Sequence, residues 1–92
     1  MESITLSDGR EIPIISFAIA TSGHMFIRVA MNMGEAFQTF SSGTDRIIYN
    51  QGDGERIMIS GFTSLEYIVN EQDCVRVALM RPLDVEEVHI ND

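Results

Sequence analysis

"ERIMISGFTSLEYIVNEQDCVRVALM", residues 55–80, reads as two long strands folded back on one another. Ile57 and Ile59 share their parity with Thr63, Leu65, Tyr67 and Val69, the alternation of a strand with one buried face. Val75, Val77 and Leu79 supply the facing stripe across a polar turn at residues 71–73. Gly61 interrupts the first strand, where a glycine gives up packing and backbone entropy. Because the parity does not slip across Gly61, the pattern argues against an inserted bulge residue. It predicts a point where one strand coils sharply, or where another backbone approaches, as at the corner of a small barrel.

Working outward toward the N-terminus, Ile4 and Leu6 alternate with Thr5 and Ser7, and Asp8-Gly9 follows as a hairpin turn. The return strand covers residues 11–20. Its apolar phase changes in the middle: Ile12 and Ile14 share one parity, and Ile15, Phe17 and Ile19 share the other. A bulge or bend near Pro13 explains the change and suits an edge strand. Met25, Ile27, Val29 and Met31 then alternate with His24, Phe26, Arg28 and Ala30 as a half-buried strand. The period changes next, with Met33, Ala36, Phe37 and Phe40 at i, i+3, i+4 and i+7. Asn32 stands as N-cap and Glu35 is placed to close a capping box, so a helix is predicted, ending at a left-handed Gly43.

Beyond it lie a strand at residues 46–49, a turn at 50–54 and the long hairpin. In the tail, Pro82, Asp84, Glu86 and Glu87 have the makings of a helix start. Leu83, Val85, Val88 and Ile90 are mostly β-branched and closely spaced, which favours a final strand kinked at Glu86-Glu87. The expectation is an α+β, mostly β single domain over residues 1–92. Its form is a small antiparallel roll or barrel of about six to seven strands, with one helix after the third strand.

The chain has 92 residues, 45% of them hydrophobic, which suits one folded domain. So small a domain has a thin margin over conformational entropy, and a homo-oligomer would widen it. Net charge is -8 and every base is an arginine, so no lysine exists for a Schiff base or a phosphate loop. That acidity repels phosphate backbones and anionic lipids, which predicts no direct nucleic-acid or membrane binding. Glu2 follows Met1, and the apolar run 12–20 is broken by Pro13 and Ser16, so neither a signal peptide nor a membrane span is expected. Cys74 is the single cysteine and implies a reducing, cytoplasmic setting.

Chemistry is harder to find. His24 and His89 lack metal-spaced neighbours, and Cys74 has no C-x-x-C companion. The oxygen-rich loop 50–55 breaks the order of a calcium loop and matches ordinary turn chemistry. Glu86 and Glu87 point to opposite faces if extended. The expectation is therefore a protein that is not an enzyme, with no cofactor and no metal. For binding, Met25, Met31, Met33, Met58 and Met80 with Phe37 and Phe40 offer an adaptable interface, while the favoured reading in so small a domain makes the helix stripe a lid over the core. Phe26 and Phe62 sit opposite their strands' apolar stripes and are better interface candidates.

The segment "SGFTSLEYIVNEQDCVRVALM" resembles the strand-glycine-strand hairpin of β-barrel domains in phage tail hub and baseplate proteins. There a Gly-aromatic or Gly-β-branched step leads into a Thr-Ser-Leu-like strand, a polar turn and a Val-x-Val-x-Leu return. The likeness covers residues 55–80; the helix and the acidic tail have no counterpart in it. It implies a small phage or prophage-type structural or assembly protein, in the host cytoplasm or the virion, working through protein contacts. Such a protein would pair with itself or a partner through an exposed strand edge or the Phe26 and Phe62 face. The alternative is an acidic inhibitor that imitates nucleic acid and blocks a host nuclease or regulator. It needs Asp45, Asp53, Glu55, Glu66, Glu71, Asp73, Glu86 and Glu87 largely on one surface, and Glu66 and the turn holding Glu71 and Asp73 lie close together in the hairpin. A third reading uses the barrel interior as a small-ligand sensor.

Overall fold

The computed structural model describes residues 1–80 and 87–91. In chain order the elements are β1 (Ser3–Leu6), β2 (Glu11–Pro13), β3 (Ser16–Ile19), β4 (Met25–Val29), α1 (Met33–Phe40), β5 (Thr44–Asn50), β6 (Glu55–Asn70), β7 (Val75–Met80) and β8 (Glu87–Asn91). The strands form one eight-stranded antiparallel sheet in the order β2-β1-β5-β6-β7-β4-β3, with β8 also on β6. The protein is thus mostly β with one short helix, and has more strands than the sequence led us to expect. The extra strand arises at Ile14 and Ile15. Consecutive strand residues face opposite ways, so the two cannot both enter the core; Ile14 is 7% exposed and Ile15 53%. The chain bends there and changes partners. Ile14 N–H donates to Glu2 O at 3.1 Å and Ile15 N–H to Arg28 O at 2.8 Å. The two end strands of the sheet, β2 and β3, are therefore neighbours in the chain.

The 16-residue β6 organises the rest. β5 lies along one edge of its first half and β8 along the other, in registers such as Ile47↔Ile59 and Ile57↔His89. β7 continues the β8 side along the second half. Gly61 sits between the halves at φ +106°, a conformation that favours glycine. The structure corrects the reading of that residue. Arg46 pairs with Ser60 and Thr44 with Thr63, so Gly61 and Phe62 span the gap opposite Asp45 alone. β6 does carry an inserted residue here, and parity concealed it because Ile59 and Thr63 both remain buried. A second irregularity leaves Glu66 between the pairs Leu65↔Leu79 and Tyr67↔Ala78. It rotates the stripe: Ile68 packs on the core and Tyr67, expected inside, is 44% exposed.

The core is aliphatic, built from Ile4, Ile27, Ile47, Ile59, Val77 and their neighbours, with Ala36 and Phe40 contributed by α1. Thr63 is the polar residue buried most deeply and is satisfied there, its Oγ1 donating to Thr44 O at 3.2 Å. The capping box has the predicted form. Glu35 N–H donates to Asn32 Oδ1 at 2.8 Å, and Asn32 N–H to Glu35 Oε1 at 3.5 Å. Gly43 follows the helix at φ +73°, again as predicted. The lid is narrower than expected, because Ala36 and Phe40 are buried while Met33 and Phe37 are 43% and 58% exposed. Phe17 stacks on Tyr49 at 4.4 Å between ring centroids, and Tyr49 donates to Glu2 Oε1 at 2.9 Å. Burial first and the Glu2 bond second push the Tyr49 hydroxyl up to about 12.

A final strand was favoured for the tail, and Glu87–Asn91 forms one. The Glu86 side of its expected kink lies outside the described residues. No helix among the described residues is long and apolar enough to cross a membrane.

Candidate docking groove

β5 begins at Thr44, opposite Thr63. Past that point β6 pairs only with β7 among the described residues, so its edge from Ser64 to Asn70 has no strand beside it. The place such a strand would occupy faces α1 instead. Between helix and edge runs a groove of about 580 Å³, walled by Met33, Gly34 and Phe37 on one side and by Leu65, Glu66, Tyr67 and Ile68 on the other. Side chains along a strand point alternately to its two faces. The irregularity at Glu66 sorts the lining of the groove. Leu65 and Ile68 pack on the core face while Glu66 and Tyr67 are exposed, so the groove borders side chains of both faces of this edge. The Glu66 carboxylate is the single charge in the wall among the described residues, 3.9 Å from His24 Nε2.

On the outer face of the sheet beyond Tyr67, a row carrying two arginines lies beside an apolar one. The registers place Ser16, Arg28, Arg76 and Val69 in one row and Ala18, Phe26, Ala78 and Tyr67 in the next. Arg28 and Arg76 are thus directly opposite, an arrangement that is unfavourable for like charges. Glu71, from the β6–β7 turn, relieves it. Arg28 Nε donates to Glu71 Oε1 at 2.8 Å, and Arg76 Nη1 lies 3.7 Å from Oε2. The Arg28 hydrogen bond holds the Glu71 carboxyl below its ordinary range. Cys74 Sγ donates to the same Oε1 at 3.5 Å, and its thiol is pushed up by burial first and by the Glu71 carboxylate second. Arg28, Arg76, Phe26, Tyr67 and Ala18 enclose a shallower cleft of about 210 Å³.

Of the residues singled out from sequence, the structure brings Glu66 to the groove, together with Met33 and Phe37 from the less favoured interface reading. Phe26 faces outward as expected but is not an open platform: His24 stacks on it at 5.9 Å and the Arg76 guanidinium lies 5.7 Å from its centroid. The Phe62 side chain lies outside the described residues. Glu71 is held by the arginine pair, and Asp73 is exposed in the turn. For Met33 and Phe37 the sequence favours a core lid over an adaptable interface, and it puts Tyr67 on the core stripe; the structure places all three in the groove. A signal for Tyr67 was present: Tyr67, Ile68 and Val69 are three apolar residues in succession, and a strand cannot turn all of them inward. Among the described residues no three His, Cys, Asp or Glu side chains converge as metal ligands. No protein-family model matches this chain, and neither a curated protein nor a solved structure matches it.

Proposed function

We propose that this is a non-enzymatic structural or assembly protein that acts by docking to another protein, with the groove between α1 and β6 as its contact. One observation carries the reading: Met33, Phe37 and Tyr67, each between 43% and 58% exposed, gather beside a strand edge with no partner strand among the described residues. Clustered exposed apolar side chains mark interaction surfaces, and an open edge is a template for pairing. The likeness of the long hairpin to phage tail hub and baseplate barrels points the same way, toward assembly in a phage-type particle or its host. The adjacency of the end strands β2 and β3 favours the roll or barrel form. The nucleic-acid mimic draws less support, since Glu71, one of the acids it needs, is already paired with Arg28 and lies near Arg76.

The test is affinity capture from the native host with wild-type chain and the Phe37→Asp variant, together with light scattering for self-assembly. Phe37 is mostly exposed, so the variant keeps its urea midpoint while losing its partner. A wild-type monomer that captures the same proteins as Phe37→Asp ends the proposal.

A further inference from the structure

Resting on that reading, we infer that the groove takes an extended segment of a different protein, added as a strand to the β6 edge and alternating apolar residues with Lys or Arg. The groove is lined by Leu65, Glu66, Tyr67 and Ile68, residues of the β6 edge that has no partner strand among the described residues, and such an edge is the template for strand addition. The opposite wall includes Gly34, which has no side chain to fill the space a guest backbone needs.

The alternation follows from what lies on the two sides. On an added strand, successive side chains point to opposite faces. Those on the core side meet Met33, Phe37, Leu65 and Ile68, all apolar. Those on the outer side meet the Glu66 carboxylate, which lies 3.9 Å from His24 Nε2, and the exposed Tyr67 ring, which also lines the cleft holding Arg28 and Arg76. A carboxylate and an aromatic face both favour a cation. Charge also selects against a second copy as occupant: each chain carries -8, and among the described residues of the wall the one charged group is the Glu66 carboxylate, part of that excess.

Selection of yeast-displayed random peptides against the intact protein tests this, followed by amide hydrogen exchange on the complex with the best peptide. Enriched peptides are expected to alternate apolar and basic residues and to slow exchange at alternate amides within residues 65–68. Phe37→Asp is expected to weaken them by about tenfold or more, and Glu66→Gln to remove the preference for basic residues. Enrichment of acidic peptides, of peptides with helical spacing, or of none overturns the inference. So does protection of residues 65–68 in the protein alone as it dimerises on concentration, which makes a second copy the occupant. If Phe37→Asp abolishes capture from the host while no peptide is enriched, docking stands and strand addition falls. If Phe37→Asp changes neither, docking itself falls.

Discussion

Glu71 shows how much one side chain can hold together. It is fixed in the β6–β7 turn, where its N–H donates to Cys74 O at 2.9 Å, and it joins two arginines whose strands would otherwise oppose like charges. Its folded pKa lies below the ordinary value of 4.5, chiefly through the Arg28 hydrogen bond. A depressed carboxylate contributes stability that is complete above the unfolded value and is lost as pH falls through the folded one. Glu71→Gln is therefore expected to lower the urea midpoint at neutral pH and to flatten its decline below about pH 4.5. The same carboxylate restrains Cys74. Since the thiolate is the reactive form, alkylation of the folded protein by iodoacetamide at mildly alkaline pH is expected to be slower than that of the urea-unfolded chain. Glu71→Gln recovers part of the difference, the burial contribution remaining. Little of this was legible beforehand: the sequence placed Glu71 in a turn, but its partner Arg28 is 43 positions away.

At the scale of the element, α1 and β6 differ in how openly the sequence declares them. The capping box joins Asn32 to Glu35, three positions apart, so local spacing foretold it. Asn32→Ala is expected to cost about 1 kcal/mol in urea denaturation. In β6 the irregularities depend on the neighbouring strands, and a strand's own pattern does not record how many residues its partner spends over the same distance. The alternation within β6 therefore does not reveal the inserted residue by Gly61. What glycine supplies there is the conformation at φ +106°. Gly61→Ala is expected to destabilise the fold by roughly 1–3 kcal/mol, measured from the urea midpoint. An unchanged midpoint would mean that the bend tolerates a side chain. The same dependence on neighbours explains why the groove was hidden. Met33 and Phe37 carry the spacing of a buried stripe, and only the position of α1 beside an unpaired edge leaves them in solvent.

For the molecule as a whole, periodicity revealed the strands but not their order. The mostly β character and the place of the helix in the chain were readable. The pairing of β1 with β5 and of β4 with β7 joins segments far apart in sequence, and nothing in the alternation of one segment names its partner. These distant pairings must form against loop-closure entropy, so refolding on dilution from urea is expected in milliseconds to seconds, followed by stopped-flow tyrosine fluorescence. A microsecond phase accounting for the whole signal would show that local structure dominates the barrier.

The bend at Ile14 and Ile15 has its own consequence. Two adjacent amides are tied to Glu2 on one side and Arg28 on the other, so this short step works as a clasp between the outermost strands. Loosening it frees both margins at once and presents two adhesive borders to other copies. Substitutions at the clasp are thus expected to show themselves as aggregation before they register as unfolding.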